Sequence, residues 1–597
     1  MSDQRNLLIA VVLSIAVVFG WQYFVGVPKP PPQQTSQTQI LSQKKPLPAA
    51  QPGAGAAVQG EHGLPRQTAL SQSSRSPIDT PTLEGSINLT GGRFDDLRLR
   101  DYRETPDPRS PEIELLSPAS SASPYFAEFG WIAAPGSQQT APGADTPWKL
   151  TQGGKLSPGH DIELSYDNGQ GLTFTRRISV DSDYMFTVID SADNHSSVPV
   201  TLYPYGLVNR QNLPNTTHYW VVHEGFIGVL GGTLKDPTYA DLAKNNEVQS
   251  FDSRGGWLGI TDKYWMAAVI PPQSEQFSAT YKAYDVSGVK AYQSDFTMQP
   301  KIVQPNGTQV VIHHLFAGAK VVDLVNNYGR TLGIQRFDMA VDWGWFAFIT
   351  KPMFLAIDFL YRYVGNFGIA ILIFTVFVKA IFFPLANASY RSMSKMKKLQ
   401  PEMERLRERF KNDKVQQQQA LMQLYQKEKV NPVSGCLPMV IQIPVFFSLY
   451  KVLLVTIDMR HAPFFGWIKD LSAPDPTSIF NLFGLLPFMP PQFLMLGVFP
   501  IIMGITMWIQ TNLNPPPADP VQQRIFGFMP LIFTFMLANF PVGLVIYWSW
   551  NNLLSIIQQV VIMKSSGTPV DFLDRLRGMG ARLKRGQAPE KPAGPPD

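Results

Sequence analysis

Between Arg524 and Lys564 the chain carries no Asp, Glu, Lys or Arg, and a second charge-free interval separates Asp475 from Asp519. A bilayer imposes that pattern: about 20 apolar residues cross a hydrocarbon core roughly 30 Å thick. Residues 363–386 repeat it with one interruption, Lys379. These stretches set the architecture, although a mean hydropathy of −0.05 over the chain hides them behind a polar middle.

Six spans are predicted. Residues 7–27 form the first, with Trp21, Tyr23 and Phe24 placed where an interfacial aromatic belt belongs. The run is longer than a signal-peptide core, which favours an uncleaved anchor (residues 1–27) over a removed leader. Residues 28–80, rich in Pro, Gln and Ala, read as a flexible tether. Residues 81–335 alternate strand-like runs (161–166, 172–180, 184–190, 198–208, 277–284, 309–316) with turn signals, including Asp167-Asn168-Gly169-Gln170 as a hairpin loop. Two packed antiparallel sheets are the expected result. In residues 336–363, Trp343, Trp345, Phe346 and Phe348 mix with Asp338, Asp342, Lys351 and Asp358, which suits an amphipathic helix lying in the membrane interface.

The second span is residues 364–385. Residues 432–563 hold spans three to six, near 436–457, 493–513, 521–538 and 544–563, with Asn539-Phe540-Pro541-Val542-Gly543 as a turn. Lys and Arg concentrate in residues 386–431 and in the tail 564–597. By the positive-inside rule both segments, and hence both termini, face the cytoplasm, and the β domain lies outside. The single cysteine, Cys436, excludes an internal disulfide.

Residues 386–431 read as a cytoplasmic helical hairpin. Met393, Met396, Leu399, Met403, Leu406 and Phe410 recur at helical spacing, and Asn412-Asp413-Lys414 breaks the run before a second helix. Two readings stand: a hairpin packed on itself, or a flexible methionine face that accepts varied apolar segments. The adjacent Lys397 and Lys398 suit ribosomal RNA or anionic lipid equally.

A charge at membrane depth is costly, which makes Lys379 the leading functional candidate. It either snorkels to the headgroups or forms the positive centre of a hydrated cavity. Thr375, Gln442, Asn551, Asn552 and Gln558 are the polar span residues that would share such a cavity. Prolines 438, 444, 500 and 530 are expected to kink their spans. Enzyme signatures are weak: Ser392-Met393-Ser394-Lys395 has no companion motif, and His313-His314 point to opposite faces of a strand. No catalytic residue, metal or cofactor is expected.

Six segments in order carry a resemblance. They are T-V-F-V-K-A-I-F-F-P-L (375–385), S-M-S-K-M-K-K-L-Q-P (392–401), N-P-V-S-G-C-L-P (431–438), I-Q-I-P-V-F (441–446), D-P-V-Q-Q-R-I-F-G-F-M-P (519–530) and N-F-P-V-G-L-V-I-Y-W (539–548). Residues 340–565 thereby resemble the YidC/Oxa/Alb membrane-protein insertases. Residues 256–272 (G-W-L-G-I-T-D-K-Y-W-M-A-A-V-I-P-P) are similar to the large periplasmic domain of Gram-negative members. The resemblance implies a five-helix insertase core beside a periplasmic β-supersandwich in the inner membrane. It implies a hydrophilic groove, closed to the periplasm, in which a basic residue attracts polar segments of nascent membrane proteins. Ribosomes, Sec translocon components and the phospholipid bilayer are the implied partners, and no small-molecule substrate is expected. The chain departs from the family pattern where Lys379 replaces arginine and Trp548 replaces tyrosine. Lysine keeps the charge but loses the five-donor planar fork.

Two rival classes remain at this level. A small-molecule transporter or channel would show inverted repeats, and none is visible. A membrane-anchored periplasmic carbohydrate-binding protein or enzyme would need a sugar site, which for hydrolysis means paired carboxylates in one cleft.

Overall fold

The computed structural model describes residues 63–567 except 215–221, 245, 287, 412, 429, 431–436, 485, 487, 489, 492–494 and 515–519. The predicted anchor and most of the tether and basic tail lie outside the described residues.

Two antiparallel sheets form the N-terminal half. The first has the order Arg75–Asp79, Leu83–Asn88, Arg93–Arg103, Tyr125–Ala133, Val200–Gln211, Val289–Met298, Gln276–Val286, Val248–Arg254. The second runs Thr233–Lys235, Gly225–Leu230, Trp257–Thr261, Trp265–Ile270, Thr308–Ala319, Met185–Asn194, Leu172–Val180, Ile162–Asp167, Lys149–Gln152. Inward side chains of both sheets, among them Phe94, Phe129, Phe174, Phe186, Phe296 and Phe316, close into one core. Each large side chain removed from water contributes about 1.5–3 kcal/mol. Leu172–Val180 shows how: every second residue is buried, as a half-covered strand requires. Its hairpin partner Ile162–Asp167 is joined by the predicted loop. There the Asp167 carboxylate accepts from the Gly169 N–H, the Asn168 side chain accepts from those of Gln170 and Leu172, and Gly169 has φ +70°. A non-glycine residue would be strained at that φ.

The core also holds charge. Arg176, fully buried, pairs with Asp190 at 2.6 Å and donates to the carbonyls of Gly92 and Phe129 at 3.0 and 2.6 Å. A buried guanidinium is tolerable only when its donors are met in this way.

Ordered structure begins earlier than the tether boundary at residue 80. A short helix, α1 (Arg66–Ser71), and the strand Arg75–Asp79 already belong to the sandwich. Arg66 pairs with Asp96 and Arg75 with Asp95, so two basic residues inside a Pro-rich stretch pin it to the first sheet. Pro77 is tolerated because its strand is at the sheet edge.

Two further short helices, α2 (Tyr239–Ala243) and α3 (Val322–Thr331), precede the helical half. That half comprises α4 (Ala347–Val364), α5 (Phe367–Ile381), α6 (Phe383–Lys398), α7 (Gln400–Arg409), α8 (Lys414–Lys427), α9 (Leu437–Val455), α10 (Val498–Leu513), α11 (Pro520–Leu537) and α12 (Val542–Ser565). The two halves share side chains across their junction. Ile457, just after α9, is buried in the sandwich core, and Val322 of α3 packs into the helical core.

The second predicted span is not straight. It breaks at Phe382, and α5 and α6 meet at 68°. Pro384 in the first turn of α6 lacks the N–H that would continue the α5 ladder, and its ring opposes an unbroken helix. Among the described residues no single helix is long and apolar enough to cross a membrane alone; the bent pair α5–α6 qualifies together. α10 begins at Val498, short of the residue 493 expected, and residues 492–494 lie outside the described set. The hairpin is likewise subdivided: the first helix read from methionine spacing is two, α6 and α7, meeting at Leu399 beside Pro401.

Outward faces of the helices are apolar. On α11, Phe528, Leu531, Ile532 and Phe535 are all exposed, as are Leu553, Ile557 and Val561 on α12. So large a continuous apolar surface matches a lipid solvent rather than water.

Candidate functional site

The polar residues of α12 occupy one side of the helix. At 100° per residue, Asn551, Asn552, Ser555, Gln558 and Gln559 fall within one arc, whereas Leu553, Ile557 and Val561 lie opposite. Of the arc, Asn551, Asn552, Ser555 and Gln559 are buried and Gln558 is half-buried, while the opposite face is exposed. The helix is polar inside and apolar outside, the reverse of a helix on a soluble protein.

Lys379 meets this arc. It stands in the last turn of α5, where unpaired carbonyls favour a cation. Its Nζ donates to Ser555 Oγ at 2.6 Å. Ser555 in turn donates to the Asn551 carbonyl at 2.8 Å. Among the described residues no carboxylate pairs with Lys379. The ammonium is thus turned toward α12, and the residue is half-buried.

The other candidates are distributed around it. Thr375, one turn earlier and buried, donates its hydroxyl to the Ile371 carbonyl at 2.7 Å, so its proton is held within α5. Gln442 of α9 donates to the Tyr547 hydroxyl of α12. Trp548 packs edge-on against Phe446 with centroids 4.6 Å apart and against Phe533 at 5.6 Å, a wedge between α9 and α11. Asn552 turns the other way, to Thr506 of α10 at 3.4 Å, and Gln559 follows it to Asn514 at 3.0 Å. Gln558 Nε2 is buried without a hydrogen-bond partner among the described residues. The expectation of a single cluster therefore needs correction. One edge of the α12 arc serves α5 and Lys379, and the other edge stitches α12 to α10, because the arc is wider than one neighbouring helix.

The sequence reading missed Ser555, Tyr547 and Trp550, whose Nε1 donates to the Leu372 carbonyl at 3.2 Å. Ser555 had one available signal: it follows Asn551 by four residues on a face carrying Gln558 and Gln559.

In the hairpin, Met393 is buried against Tyr390 and Ile562 of α12, and Met403 is covered by α8, with Tyr425 Oη 3.8 Å from its sulfur. These two methionines are committed to internal contacts, contrary to an open methionine face. Met396, Lys397 and Phe410 are half-buried, with Arg409 over the Phe410 ring at 5.6 Å. Lys398 is exposed and donates to the Ser566 carbonyl at 2.7 Å, tying α6 to the end of α12. Asp413 caps α8 by accepting from Val415 and Gln416 at 3.0 Å.

A cation set against the polar arc of α12, inside an apolar-faced bundle beside a two-sheet sandwich, is the arrangement to match against known proteins. Residues 359–568 match the family model described as 60Kd inner membrane protein, and residues 75–356 match that of the YidC periplasmic domain. The chain belongs to the YidC family. It is 51% identical to a membrane protein insertase YidC of Methylorubrum extorquens (strain PA1), covering 98% of each chain. It is 50% identical to that of Bradyrhizobium diazoefficiens, over 98% of this chain and 99% of the relative. It is 52% identical to that of Rhizobium meliloti (strain 1021), over 97% and 98%. Both parts of a YidC chain, periplasmic sandwich and inner-membrane helices, are therefore present in one polypeptide, and the family is one of inner-membrane proteins.

Proposed function

We propose that this chain is an insertase and chaperone of the bacterial inner membrane, delivering nascent membrane proteins into lipid through a hydrophilic groove around Lys379. The observation that carries this reading is the Lys379 ammonium, turned into the bundle onto Ser555 with no carboxylate among the described residues to neutralise it. An uncompensated cation in an apolar bundle persists only where water or a transient anion reaches it. An acidic or polar segment of an incoming chain supplies that anion. The substrate's apolar helix leaves along the exposed faces of α9 and α11, where Ile443, Phe447, Phe528 and Leu531 point outward.

The work is done by partition. Each large apolar side chain passed to lipid contributes about 1.5–3 kcal/mol, and the membrane potential adds about 2.3 kcal/mol per charge per 100 mV for acidic segments moving outward. Nothing in this cycle requires a cofactor or a catalytic residue. Both termini lie in the cytoplasm and the sandwich in the periplasm. Chains arrive from the ribosome at the α7–α8 hairpin and basic tail, and the protein works alone or beside the Sec translocon.

A photo-crosslinking residue at position 443 or 531, read against ribosome-bound nascent chains, tests the route. Crosslinks to the apolar segment of the substrate are expected at both positions. Crosslinks at neither, with efficient insertion continuing, would refute the exit path.

A further inference from the structure

We infer that Ser555 is the positioning residue that holds Lys379 inside the bundle and fixes its selectivity for acidic segments, a role resting on the groove reading above. The hydroxyl has one proton and two lone pairs. Its proton goes to the Asn551 carbonyl at 2.8 Å, so toward Lys379 the oxygen acts only as an acceptor, at 2.6 Å. The internal carbonyl bond fixes the rotamer, and the serine is 2% exposed, so no lipid or headgroup competes for it.

The position of the lysine makes this contact consequential. Lys379 lies within a turn of the α5 terminus, and Ile381, Phe382 and Phe383 beyond it are exposed. A lysine at such a site would otherwise extend its four-carbon stem to the headgroups. Ser555 is a recess on the facing helix that retains the ammonium while occupying one of its three donors. The remaining donors are left for a carboxylate or carbonyl of the substrate. Ser555 touches no substrate in this scheme; it acts through Lys379.

The test uses the full-length chain in proteoliposomes and two substrates identical except for an acidic or a neutral translocated segment. The readout is the ratio of their insertion efficiencies. Loss of a hydrogen bond to a charged group corresponds to a change of about tenfold or more, so Ser555→Ala should lower the acidic-to-neutral ratio by at least about that factor. Ser555→Thr, which keeps the hydroxyl, should restore the ratio. In a Lys379→Met background the ratio should be low already, and adding Ser555→Ala should leave it unchanged. A low ratio in Lys379→Met with a wild-type ratio in Ser555→Ala would overturn the positioning role and leave the groove intact. A wild-type ratio in Lys379→Met would overturn the groove reading itself. Equal loss of both substrates in Ser555→Ala, or a folded Ser555→Thr as impaired as the alanine variant, would also overturn the positioning role.

Discussion

Asp342 accepts a hydrogen bond from Lys451 at 2.5 Å, joining the segment that leaves the β sandwich to the C-terminal half of α9. Burial pushes the Asp342 carboxyl up, and the Lys451 ammonium more than offsets this, leaving it below the usual carboxylate range. Asp342 also accepts from the Gly344 N–H at 3.0 Å. With Ile457 in the sandwich core and Arg460 donating to the Arg103 carbonyl, this pair makes the domain junction a packed interface rather than a linker.

Removing one partner of the junction pair should therefore cost more than removing both. Asp342→Ala leaves a partly buried ammonium and should destabilise the junction by about 1–3 kcal/mol. Hydrogen exchange of amides in residues 320–343 of the full-length protein in detergent reads the loss. The Asp342→Ala, Lys451→Ala double variant should recover part of it.

Asp458 gives the junction a pH dependence. Burial raises its carboxyl from 3.8 to about 6, and its Oδ2 has no hydrogen-bond partner among the described residues. The folded state thus holds the proton more tightly than the unfolded state. Stability is greatest below about 4, falls as pH rises toward 6, and the whole penalty is present at pH 7. Asp458→Asn should abolish that fall and stabilise the junction at pH 7 by up to about 3 kcal/mol, measured by exchange protection around residue 458 between pH 4 and 7.

His313 gives the sandwich the opposite slope. Fully buried against the Phe129 ring at 5.3 Å, with neither ring nitrogen hydrogen-bonded among the described residues, it is pushed down from 6.5 to about 4 by burial. The unfolded chain takes up this proton first, so stability is complete above pH 6.5 and is lost as pH falls toward 4. His313→Phe should flatten that decline. Tryptophan fluorescence during acid titration of the two proteins checks it.

The exposed face of α11 should behave as a lipid contact. Leu531→Arg places a charge near the middle of the helix and should disfavour integration by about 2.5–3.5 kcal/mol. Loss of carbonate-resistant membrane protein is the expected outcome. Leu531→Phe should integrate normally.

Where sequence alone was informative, a local rule governed the residue. Alternation fixed Leu172–Val180 to its observed ends, and Asp167–Gln170 formed its hairpin because Asp and Asn side chains accept from backbone N–H groups two residues on. Lys379 stood out because a lone cation in an apolar run has few explanations. Its partner did not stand out: Ser555 is 176 residues away, and a serine bonded to its own helix leaves no mark in hydropathy. The break at Phe382 was written in Pro384, but composition alone read through it as one span. The early start of the sandwich was hidden because Arg66 and Arg75 look like tether residues until Asp95 and Asp96 fold beside them. Methionine spacing read one continuous helix where two meet at Leu399, and it could not say that Met393 and Met403 were already covered.

Charge substitution at position 379 tests the central claim most directly, through complementation of an insertase-depleted strain with membrane levels of each variant matched. A positive centre within the bundle predicts that Lys379→Arg sustains growth and that Lys379→Glu does not. Equal growth with the glutamate variant would contradict it.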